Sequence, residues 1–445
     1  MVSSGDNGSA GCDAFDVQSP APVVMGLQVS GYASTPYNVA VGGTDFNEIT
    51  NPGQYWSTTN NSLTQASALG YIPETTWNDS CTNQFLTDFG YSTVAEANCN
   101  NANLIPYDVV PVGGSGGVSK WTTPSGSNPF NCAGGYAKPS WQTGIGVPND
   151  GKRDIPDVSL FASNGFSGSF YIFCESDQTN GTCNLNSPYT DFLGVGGTSV
   201  SSPAFAGIMA LVNQKTGSRQ GNANYVLYKL AAQQPTAFHD VTVGTIAMPC
   251  ATGSPNCVTN TGGDAYGVLS GYSATTGYDL ATGLGSVNAN NLVNKWNSVS
   301  LLALTTTLSN LNPTTITHGE AVNFTVSVAP KSGSGTPTGQ IALEGGPNSG
   351  NSGIAAFNLT NGSVSSSTEM LPGGTYSVTA HYPGDSRRWR RKWRYTARQL
   401  QRDSHRNQRQ AVAQRYDFTG CAVVRVPSAI LSLFVFSRAL CETVG

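Results

Sequence analysis

Between residues 303 and 386 apolar and polar positions alternate with period two. "AVNFTVSVAP", "TGQIALEGG" and "GTYSVTAHYPGD" each carry one apolar and one polar face and are separated by Gly, Pro and Asn turns. Alternation without any helical stretch predicts a small all-β sandwich. Residues 1 to 298 follow a different rule: short apolar stretches such as "YNVAVGGTDF" and "RDIPDVSLFAS" leave Gly or Pro loops and read as strands. From Pro203 to Gln214 the residues Ala204, Phe205, Ala206, Ile208, Met209, Ala210, Leu211 and Val212 are apolar nearly all round the helical repeat. This predicts a central buried helix with Pro203 in its first turn. Strands mixed with a buried helix predict a layered α/β fold.

Composition adds a compartment. Only 11% of the 445 residues are charged, against about 25% in an ordinary soluble protein, and glycine alone contributes 52. That balance, with abundant Ser, Thr and Asn, is the habit of secreted, loop-rich proteins. None of the ten cysteines forms a CxxC pair, so a zinc or thioredoxin-type site is not expected, and disulfides are. Proximity pairs Cys174 with Cys183, Cys250 with Cys257 and Cys81 with Cys99, leaving Cys12 for Cys132. The opening "MVSSGDNGSAGCD" lacks a signal peptide's basic and apolar regions, so either export takes another route or Met1 is not the natural start. The longest apolar run, "AILSLFVF" at 429 to 436, is far short of the roughly 20 residues that span a bilayer. No membrane partner is expected.

Charge breaks abruptly after Ser386. Residues 387 to 445 hold 13 of the 22 Lys and Arg residues and 3 of the 26 Asp and Glu residues, a formal charge of +10 against −14 for residues 1 to 386. A basic run can bind nucleic acid. Here it begins where the sandwich still needs a last strand, in the manner of a shifted reading frame, so a disordered tail without a nucleic-acid partner is the expectation.

The chemistry centres on "GGTSVSSPAFAG" (196 to 207), which places Ser199 on a glycine turn at a helix N-terminus. Free backbone N–H groups and the helix dipole favour developing negative charge there, which is half of an oxyanion hole. Capping by Thr198, Ser199, Ser201 and Ser202 is the competing explanation. A nucleophilic serine needs a base. The chain has four histidines, of which His318, His381 and His405 lie in the sandwich and tail, while His239 follows the serine by 40 residues. Subtilisin-type enzymes have a similar turn, but their aspartate and histidine both precede the serine. A carboxylate base working at acid pH remains open.

Several stretches occur in an order that resembles the sedolisin family, the serine-carboxyl peptidases. They are "SSGDNG" (3 to 8), "VAVGGTDF" (39 to 46), "GGSGGVSKW" (113 to 121) with "PSWQ" (139 to 142), "RDIPDVSLFAS" (153 to 163), "GGTSVSSPAFAGIMALVNQ" (196 to 214), "HDVTVG" (239 to 244) and "GYDLATGLGSVN" (277 to 288). The resemblance implies a subtilisin-like parallel sheet flanked by helices over residues 1 to 298, and protein or peptide substrates. It makes Ser199 the nucleophile and Asp6 the protonated acid that donates to the oxyanion, which requires acid pH or a raised pKa. It also implies one Ca2+, held by the Asp240 carboxylate, the Val241 carbonyl, the Thr275 and Gly277 carbonyls and the Asp279 carboxylate, a hard-oxygen set. Turn and cap formation is the other role open to Asp240 and Asp279. Residues 303 to 386, above all "YSVTAHYPGD", resemble the bacterial immunoglobulin-like modules of secreted enzymes and adhesins.

The family's base glutamate and its partner aspartate sit four residues apart on one helix, upstream of the "SSGD" stretch. No glutamate among the 445 residues is followed four positions later by aspartate. The expectation is a monomeric peptidase whose catalytic domain is cut short at its N-terminus, without activity as it stands. A non-catalytic secreted binding or adhesion protein is the alternative, and a His239-dependent esterase is a distant third.

Overall fold

The computed structural model describes residues 1–400 except 15–16, 64–65, 121–122, 125–131, 175–182, 185–191, 300–303, 332–334, 347–352 and 383–397. It divides into two compact units, residues 1–299 and a second beginning at Ser300. Apart from Arg398–Leu400, which pairs antiparallel with the strand Tyr376–His381, the basic tail lies outside the described residues.

The first unit is built on a six-stranded sheet. Its early strands are β1 (Val2–Ser3), β2 (Ala40–Phe46), β3 (Glu74–Thr76) and β4 (Val158–Phe161). A hairpin of β5 (Tyr171–Phe173) and β6 (Leu193–Val195) stands apart from it, and β7 (Phe238–His239) and β8 (Ser286–Val287) complete it. The order is β1-β2-β4-β8-β7, with β3 on β2. β1, β2, β4 and β8 run parallel, whereas β3 and β7 pair antiparallel. A parallel strand covered on both faces needs a continuous run without exposed polar positions. β2, "AVGGTDF", is buried at every position but the last. Here the parallel α/β expectation is met.

Helix α1 (Thr198–Thr216) packs on β2 and β4 and against α3 (Ala289–Lys295). Two features differ from the sequence expectation. First, the helix begins five residues before Pro203, so the proline sits in the second turn and not the first. It has no N–H to return to the Ser199 carbonyl, four residues back. Second, the helix is not buried all round: Phe205, Met209 and Val212 are, but Ala206, Gly207 and Ala210 are exposed and Leu211 is 51% exposed. Spacings of four and three select one stripe, and only that stripe lies on the sheet. The helix stops at Gly217, whose left-handed φ of 65° closes the last turn.

"RDIPDVSLFAS" and "PSWQ" form the buried frame behind β4. Arg153 Nη2 lies 2.6 Å from Asp157 Oδ2, both side chains without exposure, and the guanidinium stacks on Trp141 at 4.9 Å. Asp157 also accepts from Ala40 N, Asn224 Nδ2 and Tyr228 Oη. Gln142 bonds both the N–H and the carbonyl of Asp154. Asn224 and Tyr228 belong to α2 (Asn224–Gln233), so one carboxylate joins β2, the β4 entry and a helix.

Disulfides Cys81–Cys99, Cys174–Cys183 and Cys250–Cys257 are formed as proximity predicted. The fourth pairing falls on the Cys132 side chain, outside the described residues. No helix among the described residues is long and apolar enough to cross a membrane.

In the second unit, Leu304–Asn312, Val322–Pro330 and Ser363–Thr368 form one antiparallel sheet. Gly353–Asn358, Gln340–Glu344 and Tyr376–His381 form the other. Burial alternates along Val322–Pro330, and the inward residues, among them Leu308, Phe324, Val326, Ile341, Leu343 and Val378, make one core.

Candidate active site

The "SSGDNG" and "GGTS" stretches meet at the C-terminal end of the parallel strands. β1 delivers Asp6 to the first turn of α1. Asp6 Oδ1 accepts from Thr198 N at 2.8 Å and from Thr198 Oγ1 at 2.7 Å. Asp6 Oδ2 accepts nothing among the described residues. Burial raises the Asp6 pKa, and the two Thr198 hydrogen bonds only partly oppose it. The free oxygen is therefore the one that can carry the proton.

Close approach requires glycine at 197. Its φ is 98°, and a Cβ there would stand 2.9 Å from Asp6 Oδ2. The other contacts tie the turn to the sheet: Gly5 N donates to Thr198 Oγ1, Ser3 Oγ to the Thr198 carbonyl and Ser201 Oγ to the Gly42 carbonyl. Val200 N donates back to Gly197 O. Ser199, the second helical residue, is half-buried. Neither its N–H nor its hydroxyl has a partner among the described residues. A helix start whose donors are left unspent is suited to receive an anion. Thr198 N is capped by Asp6, and among the described residues no Ser or Thr hydroxyl of the turn accepts from a first-turn N–H, so self-capping does not account for Ser199.

Asp240 and Asp279 both address the loop between them. Asp240 accepts from Gly277 N at 3.2 and 3.0 Å, and Asp279 Oδ2 accepts from Thr275 N at 2.9 Å. Asp279 Oδ1 also holds Ala281 N and Thr282 N, and burial pushes its pKa up to about 6 against those bonds. Gly277 needs its φ of 82°, with Ile145 O 2.7 Å from where a Cβ would be. Thr275 is not among the residues at positive φ, so threonine there is unstrained. Val241 is buried next to Asp240. Among the described residues no three His, Cys, Asp or Glu side chains gather as metal ligands. Two carboxylates with carbonyls on one loop still fit a hard cation's demand for oxygen.

His239 makes no described contact with Asp6 or Ser199. It stacks on Tyr71 with ring centroids 3.8 Å apart, and burial lowers its pKa.

Known proteins are similar to this chain in sequence. Sedolisin of Pseudomonas sp. (strain 101) is 26% identical over 288 residues, covering 64% of this chain and 33% of that protein. Xanthomonalisin of Xanthomonas sp. (strain T-22) is 26% identical over 302 residues, covering 65% and 26%. The first unit is similar to members of the sedolisin family. Kumamolisin of Bacillus sp. (strain MN-32) is a third relative, 32% identical over 157 residues that cover 34% of this chain and 22% of that one. The chain spans a third or less of the length of these curated relatives. A solved structure of Pseudomonas sedolisin, complexed with two molecules of pseudo-iodotyrostatin, overlays with 24% identity and a TM-score of 0.36. It covers 67% of this chain and 55% of that chain. In the second unit, residues 308–390 match the model of the bacterial Ig-like domain (group 3). In the sequence, the sedolisin-like unit is followed by an immunoglobulin-like module.

A pair of buried carboxylates escaped the sequence. Asp45 and Glu48, three apart in "DFNE", are both buried beside Ser167 and Ser169. The only signal was a pair of carboxylates directly after the Gly-Gly strand.

Proposed function

We propose that the first unit supplies the nucleophile, the oxyanion acid and a calcium loop of a secreted, monomeric, acid-active serine-carboxyl peptidase that cleaves peptide bonds of proteins. The observation that carries this is the juxtaposition of Asp6 with the unspent first turn of α1. Ser199 Oγ attacks the scissile carbonyl carbon while its proton passes to a carboxylate base. The carbonyl oxygen becomes an oxyanion, and protonated Asp6 and the Ser199 N–H are the donors available to it. The C–N bond then breaks as the base returns the proton to the leaving amine, and water hydrolyses the acyl-serine by the same steps. The raised pKa of Asp6 favours the protonated form that can donate.

Asp240 and Asp279, with the carbonyls of Val241, Thr275 and Gly277, would hold the calcium. Bound there, the ion would offset the charge of the two carboxylates, and those residues would fix the 275–279 loop around it.

The base is the component these 445 residues do not contain, since no glutamate precedes an aspartate by four. Hydrolysis of denatured protein near pH 4, where a carboxylate can serve as base, tests the reading. No serine-dependent turnover is expected of the 445 residues alone. Turnover is expected once a segment bearing Glu-x-x-x-Asp is supplied, lost in Ser199→Ala and reduced about 10²- to 10³-fold in Asp6→Ala. Turnover that survives Ser199→Ala sinks the nucleophile assignment. Ser199-dependent turnover by the 445 residues alone sinks the absent base.

A further inference from the structure

We propose that the cleft beside the β5–β6 hairpin is a cation-recognising pocket, built around Glu48, that takes the lysine or arginine side chain of a peptide. This names a substrate class for the peptidase reading and rests on it for the identity of the molecule carrying the cation.

The cleft has a volume of about 390 Å³, and Phe46, Glu48, Trp56, Ser169, Phe170 and Ile172 are among its walls. That is the size of a small-ligand site. Glu48 is only 6% exposed. Its Oε1 accepts from Ser169 Oγ at 3.3 Å, while its buried Oε2 has no partner among the described residues. A carboxylate taken out of water is costly unless it is paired, and natural structures leave few such atoms unanswered. No described ion pair reaches it: the cations paired are Lys138, Arg153 and His381, on Asp150, Asp154, Asp157 and Glu344.

The surroundings favour a cation over a neutral donor. Asp45, 1% exposed, sits three residues away and accepts from Ser167 Oγ at 2.5 Å. Ser167 and Ser169 flank Gly168, whose φ of 92° lets one loop meet both carboxylates. Phe46, Trp56 and Phe170 add aromatic walls. Phe46 is fixed edge-on to Trp56 at 5.9 Å and stacked on Phe161 at 4.4 Å. Ring faces attract ammonium and guanidinium groups, Arg above all. The cleft also shares backbone with the nucleophile: Ile172 pairs with Gly194, and β6 runs from there into the Gly196–Ser199 turn. A peptide with its carbonyl at Ser199 has a side-chain pocket on the adjoining hairpin.

Direct binding decides this. N-acetyl-arginine amide and the neutral, near-isosteric N-acetyl-citrulline amide are titrated calorimetrically at pH 7 into the full chain and into its Ser199→Ala form. Arginine amide is expected to bind at least about tenfold more tightly than citrulline amide, and Glu48→Gln to abolish that difference. Trp56→Leu is expected to weaken arginine binding several-fold, which keeps the proposal testable should Glu48→Gln fold poorly. Equal affinity for the two amides overturns the pocket, as does arginine binding unchanged in both variants. Binding is read without hydrolysis. Charge-selective binding, with no Ser199-dependent turnover even when a Glu-x-x-x-Asp segment is supplied, therefore keeps the pocket while the peptidase reading fails, and Ser199-dependent turnover without charge selectivity does the reverse.

Discussion

Asp157 and Asp6 are both carboxylates at the heart of the first unit, and they are used in opposite ways. Asp157 spends everything: Arg153, Ala40 N, Asn224 and Tyr228 all donate to it, and it is wholly buried. Asp6 takes both its donors on one oxygen, from one residue, and meets no cation among the described residues. A saturated carboxylate is architecture, because any change leaves buried partners unanswered. A half-used one, held by a pair of hydrogen bonds and pushed toward its neutral form, is available for chemistry.

The contrast is broken most forcefully at Asp157. Asp157→Ala strands the Arg153 charge, and a loss of about 3–5 kcal/mol is expected in denaturant unfolding at pH 7. A loss under about 1 kcal/mol there would mean the network is not what holds the frame.

Protonation of other buried carboxylates has the next largest effect. Burial pushes Asp79 up to about 8, with Trp77 Nε1 donating to it at 2.7 Å, and Asp45 up to about 6. For each, the folded pKa lies above the unfolded one, so the folded state binds more protons. Stability is then complete below about pH 4 and falls as pH rises toward 8, by at most about 1.4 kcal/mol for each pH unit that one such carboxyl stays protonated only in the folded state. Asp79→Asn is expected to flatten the decline in thermal midpoint between pH 4 and 8. An unchanged slope would show that Asp79 ionises freely.

Asp6→Asn is a smaller effect with a distinctive sign. The amide keeps an acceptor for Thr198 and carries no charge, so stability at pH 7 should hold or rise by about 1 kcal/mol, with no gain at pH 3. Destabilisation at both values would mark Asp6 as architecture after all. Ser199→Ala removes a hydroxyl without described partners and should move stability by less than about 0.5 kcal/mol.

How much of this was legible follows the same division. Period-two alternation exposed the sandwich, because each strand there has one wet face, as Val322–Pro330 does. The apolar run of α1 misled, because alanine and glycine count as apolar in a pattern whether or not anything covers them. Phe205, Met209 and Val212 alone are pinned, while Leu211 is left out. The meeting of Asp6 with Thr198 spans 192 residues. No local pattern shows such a contact, and only resemblance to a family pointed to it. Glu48 was invisible for the opposite reason: one acidic residue in a loop carries no period, and its described hydrogen bond comes from a serine 121 positions away.

Pro203 gives the site its mechanical character. The proline interrupts the hydrogen-bond ladder at the Ser199 carbonyl, whereas Ser3, Gly5, Asp6 and Gly42 fasten the same turn to strand ends. The turn bearing Ser199 is thus anchored to the sheet more firmly than to its own helix. Fraying from the Gly217 end would leave Ser199 in register. Loosening of β1 or β2 would displace it, so the sheet, and not the helix, sets how long the serine stays aimed.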